Sequence, residues 1–354
     1  MKKKWIAGAL ACAMAITMTG CGSSDSGKPQ LYVSSFNLAE DTTARDVFGP
    51  FEEAFDCSVV KELGLVSDRY TKLEANPDNS EIDVMELSQA KAAEGYADGL
   101  FQKIDTSRIE NYDALIDIAK QLNIDSGGYG LPYTVNAMGI IYDEEAVGFE
   151  ITEWADLWRP ELKGKIAIPV ISNTFGPAMV HVASDYAGVD IKSDNGEAAF
   201  AALAELKPNI VKTYSKSADV ANMFSSGEIA VAVIGDYAYN TVIGACPDAK
   251  LVYPESGSYV SFNTIEITKN CKNLDLAYEW INYRLSAETQ TRTQSLENDG
   301  LGEVPTNGNV QVTAGTNVET TFNVVKNNAK TVDYTFVLPL LDEWTTKWNQ
   351  TLNG

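Results

Sequence analysis

The stretch "YGLPYTVNAMGIIYD" (129–143) decides how the chain is built. Gly130 and Pro132 open it, and Ala137 to Tyr142 follow with no charge. It reads as a long buried strand entered through a turn, placed where the chain crosses from one lobe to another. Upstream, Leu31 to Ser35, Ser58 to Leu63 and Asp83 to Leu87 are short apolar strands. Between them lie a helical stretch with Val47, Phe48, Phe51 and Phe55 on one face and a helix from Ala90 to Asp98. Downstream the alternation repeats, with strands at Lys165 to Val170 and Ile229 to Ile234 and helices at Glu197 to Leu206 and Ala218 to Phe224. Thr152 can cap a helix carrying Trp154, Leu157 and Trp158.

Strands alternating with helices point to α/β lobes built on largely parallel sheets. Tyr259 to Ile267 is a second crossing strand, and Pro305-Thr306-Asn307 marks a third. Asn273 to Gln290 reads as one amphipathic helix with Leu274, Ala277, Trp280, Ile281 and Leu285 inward, and Leu341 to Leu352 closes the chain as a helix. Three crossings between two lobes put a cleft between them, and hinge closure over a ligand is what such an arrangement does well.

The N-terminus says where such a molecule would work. Lys2, Lys3 and Lys4 precede an uncharged, mostly apolar run from Trp5 to Met18, and the small Gly20 stands before Cys21. This is the layout of a secretory signal (1–20), too short to be read as a spanning helix. The Cys21 thiol resembles a bacterial lipobox cysteine, with Met18 where leucine is more usual. Residues 21–30 then form the lipidated cysteine and a small-residue tether, which implies export and a lipid anchor on the outer face of the cell membrane.

The chain carries 49 acidic against 27 basic residues, three of the latter in the leader, for a net charge of −22. That balance argues against nucleic-acid partners, which want a basic face. Cys57, Cys246 and Cys271 are widely spaced and show no C-x-x-C pattern, so they form neither a zinc site nor a disulfide framework, and any single pairing stays open. The one histidine, His181, sits in an apolar run as a satisfied helix residue. No metal and no cofactor is implied.

The order of "PFEEAF" (50–55), "DGLFQKID" (98–105), "YGLPYTVNAMGIIYD" (129–143), "WADLWRPELKGKIAIP" (154–169), "SSGEIAVAV" (225–233), "LAYEWINYRLS" (276–286), "VPTN" (304–307) and "DEWTTKWN" (342–349) resembles the substrate-binding lipoproteins of ABC importers. The branch is that of spermidine/putrescine-binding proteins, with ferric-iron, thiamine and phosphonate binders as relations. The resemblance implies a bilobal type II periplasmic-binding-protein fold, a monomer that captures a small solute, and a permease that accepts the closed form. By that analogy lobe one is 31–133 with 264–303, lobe two 137–260 with 306–354, and the crossings fall at 134–136, 261–263 and 304–305.

Ligands in α/β sheets sit beyond the carboxyl ends of strands. Here those positions are Ser35, Phe36 and Asn37; Ser88 and Gln89; Tyr133; Asn173, Thr174 and Phe175; Asp236 and Tyr237; and Asn263. Polyamine binders of the family use several cleft carboxylates and aromatic rings, since a desolvated ammonium needs paired charge or cation–π contact. This chain departs from that pattern. Asn173 and Gly176 stand where the family's second-lobe acids fall, Asn263 replaces an aspartate, Ser261 a tryptophan, and Phe36 opens the first strand end. Asp236, with Tyr237 and Tyr239, remains acidic and aromatic.

Other ligand classes stay open. Ser172 to Gly176 reads as a helix edge able to seat a phosphate or phosphonate, and Tyr237 with Tyr239 invites comparison with iron-binding tyrosine pairs. An enzyme reading of thiaminase type would rest on Cys57, while a surface sensor would use the outside of the molecule. No G-x-S-x-G, P-loop or H-E-x-x-H occurs.

Overall fold

A computed structural model describes residues 27–37 and 39–353. The leader, Cys21 and the tether as far as Ser26 lie outside the described residues. Among the described residues there are twelve strands, β1 (Gln30–Phe36), β2 (Ser58–Gly64), β3 (Val84–Ser88), β4 (Phe101–Gln102), β5 (Leu131–Tyr142), β6 (Ile166–Pro169), β7 (Ile210–Tyr214), β8 (Val231–Gly235), β9 (Lys250–Val252), β10 (Ser258–Thr268), β11 (Val304–Pro305) and β12 (Ala329–Thr331). The main path runs β2-β1-β3-β10-β5-β8-β6-β7.

The two long strands explain the two halves. Leu131 to Ala137 of β5 pair with β10, whereas Met138 to Tyr142 pair with β8. β5 thus leaves one sheet and enters the other, and β10 brings the chain back to pair with β3. Two neighbouring strands that cross a boundary in opposite senses must run antiparallel. The sheets are therefore mixed rather than largely parallel: β1 and β2, β1 and β3, β6 and β7, and β6 and β8 are parallel, while every pairing of β5 is antiparallel. A register shift between Asn263 and Thr264 breaks the β5–β10 ladder within the crossing.

Each half has its own core. Leu31, Val33, Phe48, Phe51, Val135, Phe262 and Trp280 belong to the first, and Met138, Ile140, Trp154, Leu203, Trp344 and Trp348 to the second. The helix Asn317–Asn328, expected in lobe two, inserts Val318, Phe322 and Val325 into the first core. Trp280 is fully buried, stacked on Phe48 at 5.6 Å and edge-on to Phe51 at 4.9 Å. Trp280→Ala should cost about 3–5 kcal/mol, because the ring's contacts are lost and the rigid surroundings close the void only in part. Urea unfolding checks this; a loss under about 1 kcal/mol would contradict the packing.

The expected helix over 273–290 is two helices, Leu274–Leu285 and Ala287–Thr293. Ser286 between them takes an extended backbone, and its hydroxyl accepts the Thr289 N–H, so a serine N-cap outcompetes continuation of the first helix. Near Thr152 the chain forms only a short 3-10 turn, Trp154–Trp158, boxed by Glu153 and Asp156. No helix among the described residues is long and apolar enough to cross a membrane.

Candidate functional site

A cavity of about 420 Å³ opens between the halves, at the carboxyl ends of β1 and β8 and against the crossing of β5 and β10. Six of the residues read from the sequence line it: Ser35, Phe36, Tyr133, Asp236, Tyr237 and Asn263. Asn136, Asn240, Asn317, Glu86, Arg284 and Glu303 add to the polar lining, with Thr43 and Thr134.

The floor on the first half is an ion cluster. Arg284, about 2 % exposed, points Nε at Glu86 Oε1 at 3.1 Å and forks onto both oxygens of Glu303 at 3.0 and 3.3 Å. Its guanidinium lies over the Tyr133 ring, 4.1 Å from the centroid. Glu86 also accepts the Trp280 indole N–H at 3.2 Å and the Ser35 hydroxyl at 2.5 Å. All four oxygens of these two carboxylates are engaged, and Arg284 together with the nearby Arg69 matches their charge. Behind Glu86, the buried Arg69 donates to the Glu86 carbonyl and to Ser34, and its guanidinium faces the Phe36 ring at 5.3 Å.

Asp236 on the second half is different. It follows β8 in a short 3-10 turn, is about 6 % exposed, and lines the cavity. Its Oδ1 is buried with no hydrogen-bond partner among the described residues. Burial pushes its carboxyl up to about 7, opposed by bonds from the Thr321 hydroxyl and nearby backbone amides. Next to it, Tyr237 is half exposed, its ring stacked 6.2 Å from Phe175 and folded over Gly235, where a Cβ would strike the ring at 2.4 Å. Glycine at 235 is what lets this ring lie against the strand end.

The other sequence-read positions lie elsewhere. Asn37 is exposed and off the lining. Ser88 ends β3 at the N-cap position of the next helix, with no capping bond from its side chain. Gln89 lines a second cavity of about 570 Å³, with Tyr96, Tyr129, Gly130 and Thr264. Since Thr264 follows Asn263 in β10 and successive strand side chains alternate, that cavity lies on the other face of the crossing. Asn173 bonds the carbonyls of Tyr214 and Ser215; Thr174 and Phe175 back the Tyr237 ring rather than line the cavity. Tyr239 packs against the smaller apolar cluster of the second half, so the tyrosine pair does not converge on the cavity. No group of three or more metal-ligating side chains occurs among the described residues.

Reading the strand ends missed Glu86, Arg284 and Glu303. Arg284 sits within the amphipathic helix Leu274–Leu285, where an arginine ordinarily faces solvent, and no local pattern marks its burial. Cys57, Cys246 and Cys271 are free thiols; Cys57 is buried in the first core, where desolvation raises its thiol. His181 bonds the Pro177 carbonyl at 2.9 Å beside Tyr259 and Trp344.

Residues 47–330 match the family described as bacterial extracellular solute-binding protein, and the chain belongs to that family. A crystal structure of an ABC transporter from Clostridium perfringens is 47% identical, covering 91% of this chain and 100% of that one, with a TM-score of 0.84. The spermidine/putrescine-binding periplasmic protein 1 of Haemophilus influenzae is 26% identical over 65% of this chain. The spermidine/putrescine-binding periplasmic protein of Escherichia coli is 29% identical over 53%. The chain spans 64% and 54% of the lengths of these two curated relatives. A spermidine/putrescine substrate-binding protein from Streptococcus pneumoniae, 19% identical, shares the bilobal fold at a TM-score of 0.74.

Proposed function

We propose that this protein is the solute-capturing component of an ABC importer, exported and held by a lipid on Cys21. It takes a small polar solute, polyamine-like or another organic cation or zwitterion, into the cavity between its halves. Closure about 134–136, 261–263 and 304–305 then presents the loaded form to a permease. Lobe one is 31–133 with 264–303, joined by the helix 317–328; lobe two is 137–260 with the remainder after 306. It acts as a monomer and performs no catalysis, and the burial of Cys57 away from the cavity supports that reading.

The observation that carries it is the position of the cavity: both halves line it, and the strands that join them form its back. A ligand touching both halves favours the closed arrangement by the difference of its affinity for the two states. The test is thermal unfolding of the chain from Ser23 onward against fractionated extract of its own growth medium, followed by mass spectrometry of the retained solute. A ligand at a hundred times its dissociation constant adds about 2.7 kcal/mol, several degrees for a chain of this size. If no fraction moves the midpoint and nothing small is retained, the capture reading falls.

A further inference from the structure

The charges around the cavity are unequal in their freedom, and that inequality bears on the solute. Resting on the reading of the cavity as a capture site, we propose that it is built for a solute with one ammonium group, which pairs with Asp236, and against a second.

Three carboxylates line the cavity, and two of them share the Arg284 guanidinium. Glu86 and Glu303 close on Arg284, and Glu86 accepts in addition from Trp280 and Ser35. Drawing either toward a ligand would strand a buried guanidinium, a cost that a second ammonium would have to repay. Asp236 lines the cavity, and its Oδ1, just beneath that surface, has no hydrogen-bond partner among the described residues. A buried acceptor without a donor is costly, and an ammonium N–H brought to it satisfies both groups at once. The groups that face Asp236 are Tyr237 from its own turn, Tyr253 beyond β9 and Thr321 from the helix 317–328; Tyr253 and Thr321 bond each other at 2.9 Å. None of these carries positive charge.

The rest of the lining suits the remainder of such a solute. Phe36 from the first half and Tyr237 from the second offer ring faces for methylene groups or for the ammonium itself. Asn136, Asn240 and Asn263 offer neutral donors and acceptors, which can satisfy a hydroxyl, amide or carbonyl but cannot balance another charge.

The experiment compares 4-amino-1-butanol with putrescine, two molecules of matched length in which a hydroxyl replaces one ammonium, with spermidine as a third probe. Calorimetric titration and thermal unfolding are run on the wild type and on Asp236→Asn, at pH 6 and pH 8. The singly charged amine should bind at least tenfold more tightly than putrescine. Its affinity should be about tenfold weaker at pH 6 than at pH 8, because the carboxyl of Asp236 must lose its proton to pair. Asp236→Asn should abolish this pH dependence and weaken the amine at least thirtyfold. Its own unfolding midpoint at pH 8 should be no lower than the wild type's, since the change relieves a buried charge. Putrescine or spermidine binding more tightly than the amino alcohol would overturn the inference and leave the capture reading intact. No binding of the amino alcohol, with a medium fraction that does raise the midpoint, would do the same. Silence from both sets would end both.

Discussion

Arg284→Met should lower stability by about 3–5 kcal/mol, because it removes the cation that both carboxylates bond and leaves only Arg69, behind Glu86, to offset them. Arg284 is about 2 % exposed and Glu86 about 3 %, so water reaches this pair poorly. The change also uncovers the face of Tyr133, over which the guanidinium lies. Urea unfolding at neutral pH measures the loss. A second variant separates charge from packing: adding Glu86→Gln and Glu303→Gln to Arg284→Met removes the repulsion and should recover most of it. If the single change costs less than about 1 kcal/mol, or the triple variant recovers nothing, the cluster is not held together by its charges.

Glu266→Gln should act in the opposite direction, and only in one range of pH. Glu266 is fully buried in β10, accepts the Tyr96 hydroxyl at 2.7 Å through Oε1, and leaves Oε2 without a partner among the described residues. Burial pushes its carboxyl up from 4.5 to about 7, against the bonding groups of Thr264 and Tyr96. The sign follows. Between those values the folded chain holds a proton that the unfolded chain releases, so stability falls as pH rises through that window. A glutamine keeps an acceptor for Tyr96 and carries no charge to bury. It should therefore add about 3 kcal/mol at pH 8 and only a few tenths of a kcal/mol at about pH 4.5, where the folded carboxyl is protonated and the unfolded one about half so. Asp236 titrates over much of the same range and is common to both proteins, so the difference between variant and wild type isolates Glu266. A gain that does not change with pH would mean the carboxyl is not held neutral by its surroundings.

Much of the fold was legible because its signals are local. The apolar runs of β1, β2, β3 and β8 and the turn residues before β5 are read within a few positions, and those four strands lie within about two residues of their expected bounds, whereas β4, β7, β9 and β12 were not read. Strand direction was not legible in the same way. The mixed character of the sheets depends on which strands neighbour β5 and β10, and these partners come from distant parts of the chain. The helix Gly176–Ala187 was marked by the apolar run around His181, while Asn317–Asn328 is too polar on average for its apolar face to stand out. At the cavity, strand ends led to Phe36, Asp236, Tyr237 and Asn263, because the end of a strand is a place a sequence can mark. Glu86 and Arg284 were out of reach: they are 198 positions apart, and their meaning lies in the pair.

The two passages of the chain between the halves have a consequence for how the molecule is made. Trp280 fills the first core, and it arrives after every strand from β1 to β10. Trp344 and Trp348 fill the second core and arrive at the very end. Neither half can exclude water from its centre until nearly the whole polypeptide is present. Contacts of such long sequence separation form slowly, since the loop they close must first be ordered. These long-range closures, rather than any single helix or strand, should therefore set the pace at which either half folds.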